Sequence, residues 1–149
     1  SKGQNRIQFH DFNIAYNQSS LPNVKIFQTQ IEVFKKFLKD AAPDKAQTRD
    51  LDFMLNVGEL FTLVPYGQLI LECAKSEGIS DDLVDQIFDF MVRDFSRYAL
   101  QMYSRTSSTP AQMDLCMQMI KKPAVNVERF ERVCQNHVLS LNMAYEMNP

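Results

Sequence analysis

The chain has 149 residues, enough for one domain with its own core. Hydrophobic residues make up 45% and charged residues 23%, an ordinary globular balance, and 4 Gly with 6 Pro leave little room for long loops or disorder. A net charge of −2 excludes the basic field that nucleic acid or an anionic membrane would need, so neither is expected as a partner.

The opening SKGQNRIQFHDFNIAYNQSSL has no single period. Ile7 and Phe9 alternate for a moment, whereas Phe12 and Tyr16 stand one helical turn apart. Residues 1–21 are therefore expected to be an arm or linker whose aromatics dock on a helical domain spanning residues 22–149. Such an arm would join the domain to something upstream, as in a piece of a longer chain. The polar start lacks the apolar run of a signal peptide, and a cytoplasmic location is expected.

The first regular helix is expected from about Pro22 to Asp40, capped by Ser20, with proline in the turn where a missing N–H costs nothing. Val24, Phe27, Ile31, Phe34 and Leu38 repeat at three and four residues and draw one apolar seam. Lys25, Glu32, Lys35, Lys36 and Lys39 fall outside it and read as a solvated face. Pro43 ends the pattern.

The stretch LDFMLNVGELFTLVPYGQLILECAK, Leu51 to Lys75, is the most apolar, and its apolar residues lie on nearly every face. Such a helix is either a membrane span or the buried centre of a bundle. Asp52, Asn56, Glu59 and Pro65 argue against the span, so a central helix wrapped by others is expected from about Arg49 to Ser76. Gly58 and Gly67 suggest close approach of a neighbouring helix. Pro65 predicts a kink or break, because it cannot donate to the Phe61 carbonyl. Gly78 closes the helix in the left-handed conformation.

Ser80 caps the next helix, Asp81 to about Tyr103, and Asp81, Asp82 and Asp85 suit its positive end. Val84, Ile87, Met91, Phe95, Tyr98 and Met102 form its seam, widened by Phe88 and Phe90. After SRTSS, Thr109-Pro110-Ala111-Gln112 has the form of a capping box. It opens a short helix with Met113, Cys116, Met117 and Ile120 inward, closed by Lys121, Lys122 and Pro123. The last helix begins near Asn126, with Val127, Phe130, Cys134, His137, Leu141 and Ala144 as its inward seam. Nothing reads as a strand, and no internal repeat suggests a solenoid. The expected fold is all-α: an up-and-down bundle of about four long helices plus one short helix and the N-terminal arm.

Chemistry is sparse. Cys73, Cys116 and Cys134 form no CxxC pair and sit among apolar residues, as reduced core thiols do. His10 and His137 are the only histidines, and neither can be joined to the three or four ligands a metal needs. No Glu-x-x-His pair suggests a di-iron bundle. Asp52, Asn56 and Glu59 share one helical face and read either as a polar strip into a cavity or as a solvated edge. Arg93 and Arg97 could grip a phosphate, or pair with Asp89 and Asp94. Met113, Met117, Met119, Met143 and Met147 suit core filling or an adaptable docking surface. No catalytic, cofactor-binding or metal-binding residue is assigned.

At GELFTLVPYGQLILECAK, DDLVDQIFDFMVRDFSRYALQMYS and the closing AYEMNP, the chain resembles the helical C-terminal region of some long bacterial acyl-CoA dehydrogenases, from about Asp50 to Pro149. The resemblance rests on helices and not on a catalytic motif. It implies a parent flavoprotein that oxidises acyl-CoA thioesters with FAD, and an oligomeric one. No β-domain is present, and neither Glu59 nor Glu72 matches the family's catalytic glutamate. The implied role is an accessory domain without chemistry or cofactor of its own. It would serve homo-oligomer assembly or cover the substrate channel beside upstream catalytic domains of the same polypeptide. The alternative is a stand-alone helical interaction module.

Overall fold

The computed structural model of the chain describes residues 11–142 and residue 144. Expectations on Ile7, Phe9, His10, Met143, Met147 and the closing YEMNP lie outside those residues. Six helices follow one another: α1 (Asn13–Gln18), α2 (Pro22–Asp40), α3 (Leu51–Glu77), α4 (Asp81–Tyr103), α5 (Pro110–Met119) and α6 (Val127–His137). Short 3-10 turns occupy Gln47–Arg49 and Leu139–Leu141, and no strand occurs among the described residues. The fold is an all-α bundle.

Most helix ends are set by local chemistry. Ser80 accepts from the Leu83 N–H, Thr109 and Gln112 complete a reciprocal capping box, and Asn126 accepts from the Arg129 N–H. Gly78 ends α3 at φ 66°. The start of α2 differs from expectation. Leu21, not Ser20, stands at its cap without a side-chain bond. The Asn23 N–H is taken instead by the Asp85 carboxylate of α4, at 2.8 Å.

The centre of the bundle is α4, not α3. It packs against α2, α3, α5 and α6. Phe88 and Phe95 of α4 meet Phe27 of α2 edge-on, with ring centroids 5.4 and 5.5 Å apart. Tyr16 stacks on Phe27 at 6.0 Å, so α1 enters the same core. Phe90 was expected to widen the α4 seam; it faces outward, while Phe88 is fully buried. On α2 the seam holds through Phe34, but its last member is Phe37, since Leu38 is exposed.

Helix α3 lies at the edge. Phe53, Asn56, Val57, Leu60, Val64 and Gly67 face the bundle. Leu51, Leu55, Thr62, Tyr66 and Leu69 face away. Two apolar faces on opposite sides of one helix mimic, in sequence, a helix apolar all round. Nor does Pro65 break α3, which runs unbroken through it. Pro65 is on the exposed side, where the Phe61 carbonyl it leaves unserved can meet water. The two glycines also separate. A Cβ on Gly67 would meet the Tyr16 hydroxyl at 2.4 Å, whereas one on Gly58 would meet nothing within 4 Å.

The last helix is turned over relative to expectation. Its buried residues are Arg129 and Val133; Val127, Phe130, His137, Leu141 and Ala144 are exposed and Cys134 is half-buried. The reason is electrostatic, as the acids of α4 take Arg129. On α5, Cys116 and Met119 are buried, Met113 and Ile120 half-buried, and Met117 exposed.

Candidate functional site

Two features stand apart from ordinary packing: a buried polar clamp and an open apolar face. The clamp forms because Asp85 and Asp89, one turn apart, lie on the buried side of α4. Asp85 accepts from the Asn23 N–H at 2.8 Å and the Asn23 amide at 3.2 Å, and it pairs with Arg129. Asp89 lies 3.4 Å from the same guanidinium and 2.7 Å from Arg93 Nε. The guanidinium also donates to Gln86 and to the Ala124 carbonyl, each at 3.3 Å. Asn23 reaches across to the Ala124 N–H at 2.7 Å. Two acids and two arginines balance, and every charged group has a protein partner. Asp89 holds the Arg93 guanidinium above its ordinary range.

Such a set can fasten chain segments together. It ties the start of α2, the middle of α4, the connection before α6 and α6 itself. It has no free carboxylate to act as a base and no open coordination position. A second polar pair does similar work at the other end. Gln47 and Gln112 exchange amide bonds of 2.9 and 3.0 Å, and reach the carbonyls of Ser107 and Ala41. Gln30 likewise ties α4 to the end of α5, through Ser96 at 3.0 Å and the Met119 carbonyl at 2.8 Å. Two buried atoms, Gln30 Oε1 and Asn56 Nδ2, have no hydrogen-bond partner.

The residues singled out in the sequence do not converge on a site. The Asp52, Asn56 and Glu59 strip divides: Asn56 is buried, Asp52 points outward 3.6 Å from Arg105, and Glu59 is exposed. Arg93 and Arg97 pair with Asp89 and Asp94, at 2.7 and 3.2 Å. Lys35 is more than a solvated charge, since it pairs with Glu32 at 2.7 Å and lies 4.7 Å over the Phe12 ring. Of the cysteines, only Cys116 is a core thiol, and burial pushes it up to about 12; Cys73 is exposed and Cys134 half-buried. His137 is exposed at the end of α6.

No group of three or more His, Cys, Asp or Glu able to hold a metal occurs among the described residues. Nor do these residues fit a flavin. One sizeable groove among the described residues, between α1 and α2, is lined by polar Asn17, Lys25, Gln28 and Glu32; a second, between α1 and the end of α3, is lined by apolar Ile14, Leu21, Leu71, Ile79 and Val84 together with Gln18, Glu72 and Asp81. Its cation, Lys75, lies 3.3 Å from Gln18, and no glycine-rich cradle offers N–H groups to a pyrophosphate.

Sequence reasoning missed the clamp. The signal was Asp85 and Asp89 interleaved with the apolar residues of α4, where a solvated acid has no place. Nothing local marked Arg129 as their partner. Comparison with known proteins returned nothing: no family model, no curated protein and no solved structure matches this chain.

Proposed function

We propose that this chain is an assembly domain, a helical module that acts by docking and not by chemistry. One observation carries the reading. Helix α3 turns a second apolar face outward: Leu51, Leu55, Tyr66 and Leu69 on it, and Phe61 at its flank, are each more than half exposed. Five large apolar side chains along one helix are more than scattered exposure. The polar interior, by contrast, is occupied with its own cross-links. The resemblance to the C-terminal region of long acyl-CoA dehydrogenases gives this a setting. There the domain would hold subunits together or cover the substrate channel, with FAD and catalysis in domains upstream. Light scattering with an absorbance scan of the same peak tests it. A colourless chain with a mass above 17.3 kDa is expected. A flavin spectrum on the isolated chain would overturn it.

Exposed apolar residues on α6 and after it favour a second reading, a stand-alone module for a different protein. Phe130 of α6 is exposed and lines a shallow groove with Phe90 of α4, and Val138, Leu139 and Leu141 beyond the helix end are exposed too. That reading expects a monomer in the same measurement.

A further inference from the structure

The groove between α1 and the end of α3 has a volume of about 850 Å³, within the range of roughly 300–1,000 Å³ that ligand clefts take. Its apolar wall comes from Ile14 of α1, Leu21 before α2, Leu71 of α3, and Ile79 and Val84 around the start of α4. Lys75 stands in the same groove, and its partner there is a neutral one, the Gln18 amide oxygen at 3.3 Å. The Glu72 carboxylate is taken by the Gln68 amide at 2.7 Å. The groove therefore offers an apolar floor and one cation without an acid.

The course of the chain brings one segment to this place. Helix α6 runs antiparallel to α4, because Arg129 meets Asp85 and Asp89 while Arg132, further on, meets Asp82. The rest of α6 carries the chain past the first turn of α4. That turn has α6 on the side of Asp82 and the groove on the side of Asp81 and Val84. Residues 143–149 follow, and fully extended they span up to about 23 Å.

We infer that this C-terminal segment is the occupant of the groove, with Tyr145 and Met147 as its apolar anchors and Glu146 paired with Lys75. The inference does not depend on the assembly reading. Tyr145 and Met147 alternate with Glu146 and Asn148, so an extended segment puts both apolar side chains on one side and both polar ones on the other. Methionine is unbranched and fills irregular space, and tyrosine buries its ring while its hydroxyl stays at the rim. Glu146 is the one charged side chain of residues 143–149, and Lys75 is the one cation lining the groove among the described residues. A lysine at a rim lays its stem on the apolar wall and extends its charge outward, where the polar side of the segment passes.

The other end of the chain suits the groove less well. Asp11 and Asn13 line the polar groove on the α2 side of α1, so residues 1–10 join the domain there. Their charged side chains are Lys2 and Arg6, which Lys75 would repel. Residues 143–149 in the apolar groove would tie the end of α6 to α1, the end of α3 and the start of α4, and would keep other short peptides out.

The test uses the 149-residue chain, which has no tryptophan, so Tyr145→Trp supplies a single fluorescent probe. Its emission is expected to be blue-shifted from that of the urea-unfolded chain, shielded from acrylamide and independent of protein concentration. Ile14→Asp changes a residue that is 54% exposed, so helical circular dichroism stays intact while the probe becomes open to acrylamide. Lys75→Glu should weaken the shielding, and Glu146→Lys added to it should restore it. An indole is larger than a phenol, so a second measurement keeps the native tail as its reference. Tyr145→Asp should make the α1 amides exchange faster than in the wild type. Exchange in α1 that Tyr145→Asp leaves unchanged overturns the inference whatever the probe reports. Shielding that survives Ile14→Asp puts the segment elsewhere and overturns it too. Shielding that fades on dilution overturns it in favour of the tail of a second copy.

Discussion

The Tyr16 hydroxyl donates to the Val64 carbonyl at 2.6 Å, and this bond fastens α1 to α3. The phenol can reach that carbonyl because Gly67, one turn on, has no side chain in the way. The bond and the glycine are parts of one local arrangement.

A double-mutant cycle should show that coupling. Tyr16→Phe removes this bond and leaves the Val64 carbonyl with only its helical partner, and it is expected to cost about 0.5–1.5 kcal/mol. Gly67→Ala forces a methyl against the hydroxyl and is expected to cost about 1–3 kcal/mol. Together they should cost less than their sum, because removing the hydroxyl makes room for the methyl. Gly58→Ala, on the open side of the same helix, should instead stabilise by about 0.5–1 kcal/mol. Urea unfolding in dilute solution measures all four.

Alkaline pH should act through the same phenol. Burial pushes Tyr16 well above its ordinary 10.0, with the Gln68 N–H opposing in part. The folded state therefore favours the protonated phenol. Its contribution is whole below pH 10 and is lost as the pH rises and the unfolded chain ionises. Tyr16→Phe lacks this loss. The stability difference between wild type and variant should shrink by about 1.4 kcal/mol per pH unit above 10.

Arg129→Met should be among the most damaging single changes. It strands Asp85 and Asp89 in the interior, with an expected cost of about 3–5 kcal/mol. Asp82→Ala makes the contrast. It breaks the Arg132 pair at 2.6 Å and removes an acid from the first turn of α4, but both partners are solvent-exposed, and the expected cost is small beside that of Arg129→Met.

Thiol labelling should follow position. Cys73 should react first with a maleimide, Cys134 more slowly, and Cys116 only when the chain unfolds. Burial and a raised pKa both keep Cys116 from forming thiolate at neutral pH. Timed mass spectrometry of the labelled peptides reads the order directly.

What could be read in advance was local. The seam of α2 through Phe34, the ends at Ser80, Thr109 and Gly78, and the start of the last helix near Asn126 depend on residues within one or two turns, and the structure repeats them. What could not be read was which face meets what. The period from Val127 to Leu141 is real, but period does not say which side faces the bundle, and Arg129 decided that through charges on another helix. Likewise α3 has two apolar faces where one was expected to wrap into the next. The cap of α2 was sought at Ser20 because caps are usually local; Asp85 supplies it from 62 residues away. The open face of α3 was legible as residues but not as a surface until α4 took the centre.

The way α6 is held has a consequence for motion. Only Arg129 and Val133 are buried along it, so its grip on the bundle is largely ionic and its apolar area there is small. Helix α4 packs against α2, α3 and α5 through buried apolar side chains, with Phe88 and Phe95 set on the aromatic rings of α1 and α2. Hydrogen exchange should therefore separate them: the amides of α6 opening well before those of α4, as a unit that detaches while the core stays folded. Strong kosmotropic salt would widen that gap, tightening the aromatic core more than the ionic tie. The chain would then behave as a rigid body with one releasable end.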